Sequence, residues 1–595
     1  MLARRYEGQG GIIPRFGPEY IFHRVKSRLD RADLFVINLE SPLTDRGRPH
    51  PMKEFAFRGS PNNISGLTYA NVGMASLANN HVGDFQEEGL IQTIEVLDAA
   101  GIVHFGAGVN EYQALLPGFK TVNGVRIGVL GFCARTARDY NHRPYLDAGY
   151  DKYGFAYFSA DNLLRTIPNT LEQSDLVVIA MHSGQEYETR PMSYFPGDEL
   201  VDPEELVHLT SVPVDSATRE LSQLAIDQGA GLVIGHHPHV LQGFEIYNGV
   251  LIAHSLGNFA FDQNIWETFP SALVWTENNH ERITKAWIEP YFVSRYFPTP
   301  AIGSLGRRII DMLADYSREL NCILVPDYPR NIAYVALEPQ NIHRNYEDHT
   351  VTASMRHLPD EDVWISEPIA LKDGGFVERI ISVTPDAFDF GWEISFGKEI
   401  LWIGNMENEG AEKWNYNSDF EGIDSTEFRS GRYSSYLYRR QLQGNVIIDL
   451  THRIPVSPAD RLTLSGWLKT QNSRNTSLVA RFHRFRNTVD PNRSVLVERY
   501  LNGTMDWTYV WDQLEVPEFA NFVNIIMQTF GQVFGGGDSW AWCDDIELVR
   551  WEPFQRFQNN IIIDYPSDFY YIQLRSPREV EQVTIRYRTV SMQLR

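Results

Sequence analysis

The chain has 595 residues, too many for one hydrophobic core, since single domains mostly run to roughly 100–200 residues. A hydrophobic content of 43% and a charged content of 22% describe an ordinary globular protein, and a formal charge of -23 argues against a nucleic-acid-binding surface and against adhesion to anionic lipid. Cys133, Cys322 and Cys543 lie far apart with no CxxC spacing, which excludes a zinc–cysteine site and a disulfide framework and leaves them as buried small hydrophobes.

No apolar run approaches the roughly 20 residues that a membrane-spanning helix needs. Met1-Leu2-Ala3-Arg4-Arg5 lacks the apolar core of a signal peptide. From Asp33 to Asp262 strand and helix patterns alternate. Asp33–Ile37 is a short apolar run that ends in Asn38-Leu39-Glu40, and Val72–Ala78 is another that ends in Asn79-Asn80-His81. Asp84 with Glu87 three residues on predicts a capping box, opening a helix whose apolar face is Leu90, Ile94 and Leu97 and whose stop is Gly101. Arg126–Phe132 and Asp175–Ala180 read as buried strands, the second running into Met181-His182-Ser183-Gly184. A helix from about Ser216 to Gln228 leads to the strand Gly231–Ile234, which ends in Gly235-His236-His237-Pro238-His239. Val250–His254 precedes Ser255-Leu256-Gly257-Asn258-Phe259, and a helix near Gly306–Glu319 closes the domain. Residues 323–399 read as mixed strands and loops bridging two domains. From 400 the pattern is all-β, with strands at Val446–Leu450, Leu462–Leu468, Ser477–Phe482 and Trp540–Leu548, and a β-rich tail over 554–595.

Repeated strand–site–helix order collects functional groups at the carboxyl ends of strands. Here those groups are Glu40, Asn80, His81, His182, His237 and His239. A carboxylate, an amide oxygen and several imidazoles suit a borderline divalent metal such as manganese, zinc or iron, in one or two ions. Such an ion lowers the pKa of a coordinated water toward neutrality, and a nearby histidine outside its ligand set can protonate a leaving group.

The segments Asn38-Leu39-Glu40, Ala78-Asn79-Asn80-His81, His182-Ser183-Gly184-Gln185-Glu186-Tyr187, Gly235–His239 and Ser255–Phe259 resemble the poly-γ-glutamate capsule-synthesis (CapA) family, which is related to the calcineurin-like metallophosphoesterases. The resemblance covers residues 1–322. It implies a four-layer α-β-β-α fold, with Glu40 as a metal-bridging carboxylate. Asn80, His182 and His237 would complete one metal's ligands, His239 would belong to a second metal, and His81 would be the general acid. Asn79, Glu186, His236 and Asn258 match positions that orient ligands or substrate. Members of the family usually begin with a strand ending in Gly-Asp, followed by residues resembling Met1–Arg5. The expectation is therefore a shortened domain whose second metal site keeps little beyond Glu40 and His239, the full-length protein being extracytoplasmic or in the cell envelope.

In the all-β half, Ser465–Thr470, Asp506-Trp507-Thr508 and Cys543–Leu548 resemble the carbohydrate-binding, galactose-binding-like jelly rolls. The expectation over 400–553 is a β-sandwich with Trp507, Trp511, Trp540 and Trp542 as glycan-stacking candidates and Asp544-Asp545 as a candidate calcium pair. Three functions stay open: a metal-dependent hydrolase or transferase acting on an anionic or polysaccharide polymer; a non-catalytic polymer-binding component of an envelope-associated synthesis or export complex; and a scaffold led by its sandwich.

Overall fold

Long apolar runs organise the first half of the chain and alternating ones the second. The computed structural model describes residues 2–594 apart from 54, 135–145, 192–216, 372–375, 386, 408–412, 417–418, 440–444, 487–491, 531–536 and 564–570. It divides into two compact units, Met1–Ile342 with Leu594–Arg595, and His343–Gln593.

In the first unit, Phe35–Asn38, Val72–Ser76 and Val103–Phe105 form a three-stranded parallel sheet. A six-stranded sheet runs in the order Phe244–Tyr247, Val250–Ala253, Leu232–His236, Leu176–His182, Val125–Cys133, Gly118–Val122. Its four inner strands are parallel and its two outer pairs antiparallel. Every residue of Leu176–His182 is buried, as a parallel strand covered on both faces requires. Helices Ala160–Leu171 and Thr218–Asp227 cover this sheet, with Leu163, Ile167, Leu221 and Leu224 in one core with Leu130, Val177, Ile179 and Val233. The expected start of the second helix, Ser216, lies outside the described residues. Helix Gln86–Ala99 covers the smaller sheet, with Leu90 and Leu97 packed in a core with Val72 and Ala75. The sheets touch at Gly131, where a Cβ would stand 3.0 Å from both Phe105 and Ser76. The layer order is helix, sheet, sheet, helix.

An antiparallel sheet of Pro270–Asn278, Ile283–Ser294, Phe297–Pro300, Leu324–Asp327 and Ile332–Val335 follows, with helix Gly303–Arg318 inserted in its sequence. Residues 324–335 thus complete a sheet of the first unit.

Among the described residues, the strand pairings of the second unit are antiparallel, with one short helix, Ala387–Phe390. The two strands expected at 462–468 and 477–482 are one strand, Arg461–His483. Its first half pairs with Leu501–Glu515 and Ser539–Trp551, and its second half with Phe522–Phe530 and Asn492–Leu496. Register shifts between Leu468 and Thr476, with Asn472 and Asn475 at φ 50 and 49, bend the strand so that it serves two sheets. The expected bridge and tail meet in this unit. Val363–Ser366 and Glu393–Glu399 pair with Tyr571–Ser576, and Phe376–Thr384 pairs with Gln582–Leu594, around Ile380, Trp392, Ile572 and Ile585. Among the described residues no helix is long and apolar enough to cross a membrane.

Candidate metal centre

Parallel pairing sets the carboxyl ends of successive strands side by side, and the polar residues that follow the apolar runs converge there. His182 ends its strand, and His237 and His239 follow Leu232–His236 across a turn in which both adopt positive φ, 104 and 61, about Pro238. Such backbone is costly for a residue with a Cβ and persists where surrounding structure holds it. Gly235 allows the close approach behind this turn, since a Cβ there would meet the His254 carbonyl oxygen at 1.9 Å.

Glu40, His182 and His237 are all buried, and one ligand atom from each lies within 4.8 Å of the others. His182 Nε2 stands 3.0 Å from Asn80 Oδ1, 3.1 Å from His237 Nδ1 and 3.8 Å from Glu40 Oε1. One N–H cannot serve three partners in three directions, whereas a cation can. Metal bonds of about 2.0–2.1 Å put neighbouring ligand atoms about 3.0–3.4 Å apart, close to the two shorter spacings. Glu40 Oε1 is buried and accepts no hydrogen bond, an orphan that a metal would satisfy. Burial, reinforced by the charges of His237, His236, His239 and His81, holds His182 well below the usual histidine range, and so in the neutral form that binds metal. Residues and chemistry fit a divalent transition ion.

The other expected residues fall into place around this cluster. His239 Nε2 is 3.8 Å from Glu40 Oε1, and its Nδ1 is held 2.9 Å from Asn258 Oδ1. Asn258 in turn donates to Gln263 at 2.8 Å. Asn79 is fully buried; it donates to Asn38 Oδ1 at 3.1 Å and to the Leu39 carbonyl at 2.9 Å, and accepts from the His81 amide at 3.1 Å. Asn38 passes this on to Glu40 Oε2 at 3.1 Å. His81 sits beside the cluster with Nδ1 2.8 Å from Asp84 Oδ2, its ring stacked on Phe57 at 4.0 Å. His236 is half-buried, its carbonyl accepting from the Ser183 amide at 3.0 Å. Glu186 is exposed, next to Tyr187, whose ring lies 6.3 Å from that of His239.

Asp84 corrects an expectation. Helix Gln86–Ala99 has no side-chain cap, because the Asp84 oxygens are taken by Lys53, the Phe57 amide and His81. Spacing alone suggested the capping box; the His81–Asp84 interval of three residues was the signal for the other role. Lys53, Phe57 and Gln263 carry no signal in the sequence, since they are remote in the chain or act through a neighbour, and Asn38 enters there only as part of its motif.

In the second unit the register sets Tyr436 opposite Trp542 and Tyr438 opposite Trp540. Trp540 lies 4.4 Å from Tyr438 and 5.9 Å from Trp542, ring to ring. On the next strand Lys469 and Gln471 face Trp542 and Trp540, and Trp467 pairs with Tyr509. Trp542 is buried, its Nε1 donating to Asp424 Oδ2 at 2.8 Å; Trp511 is buried under the Arg356 guanidinium at 3.9 Å, and Trp507 is half-buried on Leu501–Glu515. In the Asp544-Asp545 pair, Asp544 is engaged by backbone amides. Its Oδ2 accepts from the Arg429 and Ser430 amides at 2.8 and 3.1 Å and its Oδ1 from the Asp545 amide at 2.8 Å, which clamps a loop. Among the described residues no third metal-binding side chain joins it.

Residues 2–195 and 210–263 match the family model described as bacterial capsule synthesis protein PGA_cap. The N-terminal region is similar to this family. It is similar to the capsule biosynthesis protein CapA of Bacillus anthracis, 28% identical over 303 residues, 50% of this chain and 67% of that protein. It is similar also to the PGA biosynthesis protein CapA of Bacillus subtilis (strain 168), 27% identical over 291 residues, 49% of this chain and 69% of that protein. Among solved structures, the CBM22-1 xylan-binding domain of Paenibacillus barcinonensis Xyn10C matches at 10% identity and a TM-score of 0.19, over 30% of this chain and 97% of that one. A likeness at that level carries no functional inference.

Proposed function

We propose that the N-terminal unit is a metal-dependent hydrolase or transferase of bacterial capsule or related extracellular polymer metabolism, acting on an ester, phosphoester or amide bond. One observation carries the reading: the buried convergence of Glu40, His182 and His237, with Glu40 Oε1 left without a hydrogen bond. The names of the Bacillus relatives, capsule and PGA biosynthesis, support the class of polymer. Asn80 and His239 would join the ligands, from oxygen and nitrogen atoms already aimed at His182 and Glu40. A divalent ion held there supplies Lewis acidity and a nucleophilic water at neutral pH. Asn79 and Asn38 hold Glu40 and the His81 backbone in register. His81, oriented by Asp84, gives its proton to the leaving group.

Elemental mass spectrometry of the purified chain tests this. The wild type is expected to carry manganese, zinc or iron, and His237→Ala to lose it. His81→Ala is expected to keep the metal and to lose about 100-fold or more in turnover. Unchanged metal content in His237→Ala, or full activity in His81→Ala, sinks the assignment.

The aromatic row of the second unit favours a further reading, that this unit holds the polymer by stacking on sugar rings. Trp540→Ala in the full chain is expected to weaken retention on immobilised polysaccharide about tenfold or more. Equal retention of the variant would remove that role.

A further inference from the structure

Lys53 and the Phe57 amide converge on a single carboxylate, that of Asp84. Asp84 is fully buried, and both of its oxygens are committed. Oδ1 accepts from Lys53 Nζ, while Oδ2 accepts from the Phe57 amide at 2.5 Å and from His81 Nδ1 at 2.8 Å. Lys53 Nζ donates also to the carbonyl oxygen of Asn80, the residue before His81. Its side chain is only 13% exposed, so an ammonium and a carboxylate neutralise each other inside the wall of the site.

We propose that Lys53 is a positioning residue for His81. By bridging Asp84 and the Asn80 carbonyl, it fixes the carboxylate against His81 Nδ1. That keeps the proton on Nδ1 and leaves Nε2 as the atom that works on substrate. Without the ammonium, Asp84 Oδ1 becomes a buried charge lacking its counter-ion, and the carboxylate loses one of the contacts that set its rotation against the imidazole. The same ammonium ties the backbone of Asn80 to the carboxylate that orients His81, coupling the ligand side of the site to its acid side. The inference rests on the reading of His81 as proton donor, but its first test does not require turnover.

Selective 15N labelling of histidine in the metal-free full chain, with H81Q to assign the signals, reads the His81 tautomer. Wild type is expected to show the Nδ1–H form, K53M a mixture, and K53R, which keeps the cation, the wild-type form. With manganese-loaded protein and bis(p-nitrophenyl) phosphate, K53M is expected to lose about 10- to 100-fold in kcat with KM within about twofold and metal content unchanged. K53Q reports the same quantities if K53M does not fold. An unchanged tautomer in K53M overturns the proposal. So does a kcat within twofold of wild type, or a loss in K53R as large as that in K53M. If the wild type itself shows no turnover of this phosphodiester, the phosphoester reading fails while the tautomer still decides the role of Lys53.

Discussion

At the scale of single residues, the site works through amides as much as through imidazoles. Asn79, Asn80 and Asn258 each pin a group in the cluster: Asn79 the Glu40 segment and His81, Asn80 the ring of His182, Asn258 the ring of His239. An imidazole has two nitrogens, and the one that is hydrogen-bonded decides which way the other points. Asn258→Ala frees Nδ1 of His239 and is expected to weaken manganese binding about tenfold, read by calorimetric titration of the metal-free protein. Affinity equal to wild type would show that His239 takes no part in holding metal. The histidines and Glu40 were legible in the sequence because each follows an apolar run. Lys53 was not, because nothing local distinguishes a lysine that reaches a buried carboxylate from one on a solvated loop.

At the scale of elements, the strand ends are held by a charged cluster beneath the site. Glu245 on Phe244–Tyr247 accepts three bonds from Nε and Nη2 of Arg219 on helix Thr218–Asp227, at 3.0–3.1 Å, and a 2.9 Å bond from His254. Burial pushes the Glu245 carboxyl up, but the His254 hydrogen bond and charge, and then Arg219, outweigh it and hold the group down to about 2 from 4.5. The folded value lies below the unfolded one, so the stabilisation is complete above about pH 4.5 and is lost as pH falls toward 2. Its size is on the order of 3 kcal/mol. Chemical denaturation across this range is expected to show stability falling with acidity in the wild type and less steeply in Glu245→Gln, which is also less stable at pH 7. Parallel slopes for the two proteins would exclude Glu245 as the source. Strand identity came from local pattern, whereas this staple, drawn from residues 219, 245 and 254, exists only once the sheet order is set.

At the scale of the whole molecule, the two units differ in kind, and a metal should act on one of them. An ion that binds only the folded state stabilises it by about 2.7 kcal/mol at a hundredfold excess over its dissociation constant. Hydrogen exchange with and without manganese is expected to slow in peptides covering 72–81, 176–182 and 232–239, and to stay the same across 343–593. Slowing spread evenly over both units would argue against a site confined to Glu40, His182 and His237. The sequence by itself determined the alternation of strands and helices to residue 262, the all-β second half and the polar residues at the strand ends, because burial periodicity and apolar runs are local properties. Only the tertiary structure decided that residues 324–335 complete a sheet of the first unit, that Val363–Ser366, Phe376–Thr384 and Glu393–Glu399 pair with Tyr571–Ser576 and Gln582–Leu594, and that 461–483 is one bent strand. It also decided that Asp84 turns from its helix to His81. Those outcomes depend on which distant strands compete for the same backbone hydrogen bonds and on which buried charge must find a partner, and neither is written in the spacing of neighbouring residues.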